Sequence, residues 1–209
     1  MAKPQRTRGR PKGGRAFERG DVVNAALTEL ANGGYAALTM RGVARSLGAS
    51  LATVQRHFAT KDDLWRGAVD AVLDRPEFAT SAAAADPLRA AVVGLLGAGA
   101  ENPGLLASVI GDRAPGHAER FAYLADRLGD RHAAFHRLVS EFQDTGALRN
   151  FDAKAMLLLL NVGIGSIASA TTATREIYGF DLEDPADRDR LAAAITDILR
   201  SGIVARPSA

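Results

Sequence analysis

The sequence predicts an all-α protein of two domains, a helix-turn-helix head followed by a larger helical domain. Three observations predict it. Apolar residues recur at helical spacing in segment after segment, and no run alternates with the period of two expected of a strand. Residues 39–58, TMRGVARSLGASLATVQRHF, hold two short amphipathic patterns joined at Leu47-Gly48-Ala49. Finally, 209 residues are enough for a head of about 60 residues plus a second region with its own core.

The elements follow in chain order. Residues 1–19 combine seven Lys/Arg with almost no apolar side chains, so burial cannot offset their ordering entropy and a disordered basic arm is expected. Within it, Arg8-Gly9-Arg10-Pro11 has the composition of an arginine hook for a narrow minor groove, with general phosphate contact as the alternative. Val23, Ala26, Leu27 and Leu30 then form a helical stripe that ends at Asn32-Gly33-Gly34. Met40, Val43, Ala44 and Leu47 share one face of a second helix behind Thr39 as N-cap, and Gly48 stops it. Ser50 caps a third, whose Val54 and Phe58 point inward while Ala52, Thr53, Gln55 and Arg56 face out. Thr60-Lys61-Asp62-Asp63 is a capping-box pattern opening a fourth helix with Leu64, Trp65, Val69 and Val72.

After a connector at 75–87, helices are expected over Leu88–Ala98 and Leu105–Asp112, with a break at Gly111–Gly116. A long helix is expected over Glu119–Thr145, an uncharged one over Ala153–Tyr178, and a last one from Asp184-Pro185 to Gly202. Asn161, Ser166 and Ser169 make the uncharged stretch a poor membrane span, so it is expected to be buried. The small residues of Gly163–Ala168 would let backbones approach closely, either within the chain or across a dimer.

Charge supports a nucleic-acid partner at the N-terminal end. Residues 1–20 hold seven Lys/Arg against one Glu, residues 21–75 six against six, and residues 76–209 13 against 17, a gradient from +6 through 0 to −4. Cysteine is absent, which excludes disulfides and thiolate chemistry. No apolar signal segment follows the basic start, so a cytoplasmic location is expected.

The stretch AALTELANGGYAALTMRGVARSLGASLATVQRHFATKDDL resembles the N-terminal domain of the TetR family of bacterial transcription regulators. The resemblance covers about a quarter of the chain. It implies an all-helical homodimer that binds a palindromic double-stranded DNA operator, most often as a repressor released by a small-molecule effector, with no cofactor and no enzymatic activity. Two departures stand out. Gln55 occupies the place of a common tyrosine and brings the option of a bidentate contact to adenine; Leu51 stands where a polar residue is frequent, and either touches a thymine methyl or staples the helix start.

On this reading the domains are 1–19, 20–66 and 67–209. Arg41, Gln55 and Arg56 read bases, with Leu51 and Ala52 as apolar contacts, while Thr39, Thr53, His57 and Lys61 hold phosphates and Arg8 and Arg10 belong to the arm. Phe121, Leu124, Leu128, Phe135, Phe142 and Asn161 are the candidate effector-pocket residues, each with ordinary core packing as its alternative. His132 and His136 lie four apart on one face, but two ligands do not make a metal site, and Arg127, Arg131 and Arg137 suggest a solvated helix there. Two rival functions remain. An architectural DNA-binding protein would not need some 130 residues of apolar helix, and an enzyme would need a nucleophile, metal or phosphate-cradle motif that no segment supplies.

Overall fold

The computed structural model describes residues 16–75, 86–101 and 111–203. These residues are helical, with no strand among them. The head consists of α1 (Arg19–Ala37), α2 (Met40–Ser46), α3 (Leu51–Gln55) and α4 (Lys61–Leu73). Val22, Leu30, Leu38, Val43, Val54, Leu64 and Ala68 are fully buried at its centre, and Trp65 is 2% exposed beside them. The starts of α2, α3 and α4 are set by the residues the sequence nominates. Thr39 Oγ1 accepts from the Gly42 N–H at 2.9 Å and Ser50 Oγ from the Thr53 N–H at 3.2 Å; Thr60 and Asp63 form a reciprocal capping box.

Glycine closes the first two helices by different routes. Gly48 adopts φ 63° between α2 and α3, the left-handed turn that L side chains avoid. At the Gly33-Gly34 pair the backbone leaves helical geometry, with Gly34 at φ 66°, so the regular part of α1 ends where the sequence expects and a last short turn carries it to Ala37.

The second domain contains α5 (Pro87–Glu101), the long α6 (His117–Asp144) and a helix that begins as α7 (Ala153–Leu158), widens through a π turn at Leu159–Ile164 and continues as α8 (Gly165–Ser169). It is completed by α9 (Thr171–Tyr178) and α10 (Pro185–Ile203). Its core joins Val92 and Leu96 of α5, Met156, Leu160 and Ile164 around the π turn, and Ala192 of α10, with Phe135 of α6 packed against them. The expected helix over Leu105–Asp112 lies almost wholly outside the described residues.

One expectation is corrected. The uncharged segment is not one helix: the chain breaks at Ala170 (φ −99°, ψ 46°) and the helices on either side diverge by 78°. No single described helix is long and apolar enough to cross a membrane. Within the chain, Gly165–Ser169 lies along α5 and Ile164 enters the core.

α6 ties the two domains together. Tyr123 and Leu124 near its start pack on the head core, and Phe135 packs on the second core. Twelve residues at 1.5 Å each separate Tyr123 from Phe135, so one rigid rod of about 18 Å joins the two cores.

Candidate nucleic-acid interface

The α2-turn-α3 unit presents its polar side outward because Val43, Val54 and Phe58 take the inward positions. Arg41, Ala52, Gln55 and Arg56 are exposed, and Leu51 and Thr53 are half-buried. The regular α3 helix ends at Gln55, and a tight turn then carries Arg56 and His57, with the His57 and Phe58 N–H groups both donating to the Val54 carbonyl at 3.0 and 3.1 Å. An exposed set of a small residue, an amide and two guanidinium groups is therefore available for base edges and phosphates.

The four residues expected to hold phosphates differ in how free they are. Thr39 and Thr53 are committed in part to the helix starts, since Thr39 Oγ1 caps α2 and the Thr53 hydroxyl shares a hydrogen bond with Ser50 Oγ at 2.9 Å. Lys61 Nζ sits 4.0 Å above the Tyr35 ring; burial, and then the charge of Arg120, lower its pKa. His57 turns inward, its Nε2 lying 3.1 Å from the Phe17 carbonyl. A carbonyl only accepts, so Nε2 carries the proton, and in the neutral ring Nδ1 is left as an acceptor that cannot donate to a phosphate oxygen. Arg8 and Arg10 lie outside the described residues.

Behind the reading surface, α4 is held by a polar network that the sequence does not advertise. Tyr123 Oη donates to Asp70 Oδ1 at 2.6 Å, and Arg127 bonds Asp70 at 2.8 Å and Asp74 at 2.7 Å, while Arg131 donates to the Leu73 carbonyl. Arg127 and Arg131, both half-buried, thus bond α4 rather than standing free in solvent. The signal was present as complementary stripes: acids at 70 and 74 on α4, and a tyrosine and bases at 123, 127 and 131 on α6, all at the four-residue helical spacing.

A second knot lies at the start of α4. Arg120, 4% exposed, bonds Asp112 at 2.6 Å and the carbonyls of Pro115 and Ala114, and its guanidinium covers the Tyr35 ring at 3.5 Å. Tyr35 in turn donates to Asp62. Burial opposes ionisation of Asp112, but the Arg120 hydrogen bond and the Ala114 N–H outweigh it and hold the carboxyl below its ordinary range. Tyr35 and Tyr123 are both pushed up to about 12, first by burial and then by the carboxylate each one bonds.

The six candidate pocket residues do not converge. Phe121 and Phe142 are exposed at 38% and 45%, Leu124 belongs to the head core, Leu128 is half-buried, Phe135 joins the second core, and the Asn161 amide donates to the Leu157 carbonyl at 2.9 Å. The physical reason is helical rise, since 21 residues separate Phe121 from Phe142 by about 32 Å. His132 and His136 have no third partner: among the described residues no three His, Cys, Asp or Glu side chains gather as a metal site.

Comparison with known proteins bears on this architecture. Residues 22–67 match the family described as bacterial regulatory proteins, tetR family. No curated protein sequence matches significantly. Among solved structures, the chain resembles the ketosteroid transcriptional regulator KstR2 of Mycobacterium tuberculosis, with 23% identity, TM-score 0.60, and 90% of this chain and 95% of that one covered. FadR of Bacillus subtilis in complex with stearoyl-CoA is similar at 16% identity and TM-score 0.64, over 88% of this chain and 99% of that one. NalD, the secondary repressor of the MexAB-OprM multidrug efflux pump in Pseudomonas aeruginosa, is similar at 18% identity and TM-score 0.61, over 89% and 96%. The fold is therefore shared along nearly the whole chain.

Proposed function

We propose that this chain, whose residues 22–67 match the tetR family of bacterial regulatory proteins, is a repressor whose two-fold dimer leaves a palindromic operator when a small molecule binds the second domain. The observation that carries the DNA-binding part is the exposed set Arg41, Ala52, Gln55 and Arg56, set on a unit whose two helix starts are capped and whose Val43 and Val54 are fully buried. Gln55 and Arg56 are the base readers in this proposal, and the α4 start supplies backbone N–H groups for phosphate.

Effector release is supported by the way α6 grips both cores. A molecule that displaces the Phe135 end of α6 must either bend the helix or strain the Asp70, Asp74 and Leu73 contacts at its other end, and α4 carries the reading unit. The solved FadR complex with stearoyl-CoA lends support to a small-molecule site in this fold. Dimerisation is supported by the apolar side chains left exposed in the second domain: Leu158, Leu159, Ile177, Tyr178 and Ile198 are each more than half exposed. A second copy of the chain would cover them.

The test is Gln55→Ala in the full chain, compared with the natural protein on its selected operator. Bidentate adenine contact gives a loss of about 1–3 kcal/mol per half-site and a relaxed preference at one base pair. An unchanged base-preference profile would remove Gln55 from base reading.

A further inference from the structure

Lys61 opens α4, and its ammonium group is held by a ring rather than by a carboxylate. The acidic neighbours are engaged elsewhere: Asp62 accepts from the Tyr35 hydroxyl, and Asp63 accepts from the Thr60 N–H at 3.0 Å and the Thr60 hydroxyl at 2.8 Å. Lys61 Nζ stands instead 4.0 Å from the centre of the Tyr35 ring. That ring is fixed on several sides. Asp62 holds its hydroxyl, the buried Trp65 meets it edge-on with 6.5 Å between ring centres, and the Arg120 guanidinium lies 3.5 Å from its centre. Arg120 is locked in turn by Asp112 at 2.6 Å and by the Pro115 and Ala114 carbonyls.

A seat of this kind suits a phosphate contact. An ammonium in a salt bridge has to break that bridge before it can bind a phosphate, whereas a ring attracts the charge without supplying an acceptor and leaves N–H protons free to donate. The location suits it too. Lys61 follows Arg56 by five residues, so their Cα atoms stand no more than about 18 Å apart and both can face one half-site. We infer that Tyr35 is a positioning residue for the DNA contact of Lys61: its ring holds the ammonium in place before the duplex arrives, so that binding does not have to freeze a free lysine side chain. The inference rests on the DNA-binding reading above. Freezing a whole lysine side chain sets a ceiling of about 30-fold in affinity. The stem of Lys61 is half-buried and already restrained in part, so loss of the ring should weaken binding by about 3- to 10-fold per half-site.

Two measurements test it. The first is a salt titration of operator binding with the full-length natural chain, Lys61→Met, Tyr35→Leu and the two combined, with folding followed by Trp65 fluorescence. Lys61→Met should make the slope of log affinity against log salt shallower by about 0.9 per subunit, one phosphate contact. Tyr35→Leu should weaken binding but keep the natural slope, because the lysine still reaches its phosphate. In the Lys61→Met background Tyr35→Leu should change nothing further. Tyr35→Phe, which keeps the ring, should bind within about twofold of the natural chain. Equal losses from Tyr35→Leu in both backgrounds would overturn the inference, because Tyr35 would then act on the fold alone. Tighter binding by Tyr35→Leu would overturn it too, since the ring would then compete with the duplex. An unchanged slope in Lys61→Met would remove the phosphate contact and the inference with it.

The second measurement needs no change at the ring and carries the test if Tyr35→Leu does not fold. With the four lysines isotopically labelled in their side chains, the ε-methylene signal that Lys61→Met removes should lie upfield, shielded by the phenol ring, and stay upfield when operator is added. Its return to the ordinary lysine position on DNA binding would overturn the inference. Absence of DNA binding by the natural chain would remove the functional reading itself, an outcome visible before any variant is made.

Discussion

Gly67→Ala sets two known effects against each other at one site. Gly67 lies inside α4, where alanine is favoured over glycine by roughly 0.5–1 kcal/mol. A Cβ at this position, however, would lie 2.9 Å from Phe58 Cζ, closer still to Cε1, and 3.2 Å from Arg19 Nη2. Arg19 can move aside; the buried ring cannot, because Phe58 is packed into the head core. Forcing a methyl into a packed core costs about 1–3 kcal/mol, so sterics exceed propensity and the net expectation is a loss of about 1–2 kcal/mol. Trp65, the only tryptophan, is 2% exposed two residues away and reports unfolding by its fluorescence. At fixed protein concentration the urea midpoint should fall with an unchanged slope, and the melting temperature should drop by roughly 2–8 °C. Adding Phe58→Leu, which vacates the ring edge, should cost at least about 0.5 kcal/mol less than the sum of the single changes. A midpoint unchanged or raised in Gly67→Ala would refute the reasoning, since propensity alone would then describe the site.

Two further predictions concern the knots behind the reading unit. Asp112→Asn removes the hydrogen-bonded counter-charge of the buried Arg120, leaving only the more distant Asp62 at 3.9 Å, and should destabilise by about 3 kcal/mol. Because the Asp112 carboxyl is held below its ordinary value, the natural protein's stability from this pair is complete above about pH 4 and is lost as pH falls toward the lowered value; the variant should lack that acid limb, and an identical acid limb in both would contradict the assignment. Tyr35 and Tyr123, both pushed up to about 12, favour the neutral phenol in the folded state, so their contribution is full below about pH 10 and declines between 10 and 12. An ultraviolet titration should show two of the three tyrosines ionising late, and ionisation of both near pH 10 would show that Asp62 and Asp70 do not hold them.

Local chemistry was legible in the sequence and long-range chemistry largely was not. Thr39, Ser50 and Thr60 announce helix starts because a cap acts within three residues, and Gly48 announces a turn because only glycine takes its φ cheaply. The reading face was legible for a similar reason, since Val54 and Phe58 determine which way Gln55 and Arg56 must point. The break at Ala170 left no mark at its own residue, since alanine is a helix former. Helical period alone likewise could not separate pocket from core in α6, because Phe121, Leu124, Phe135 and Phe142 fit one stripe yet reach different surroundings along the rod. His57 was recognised as a polar end residue, but its partner is 40 positions away, and no local pattern links it to Phe17.

The central claim, that a two-fold dimer reads DNA through α3, is tested most directly by selecting binding sites for the full-length protein from a random duplex library. The account predicts an inverted repeat, with its half-sites spaced so that both copies of α3 enter the major groove on one side of the duplex. Enrichment of a single asymmetric site, or of no sequence at all, would contradict it.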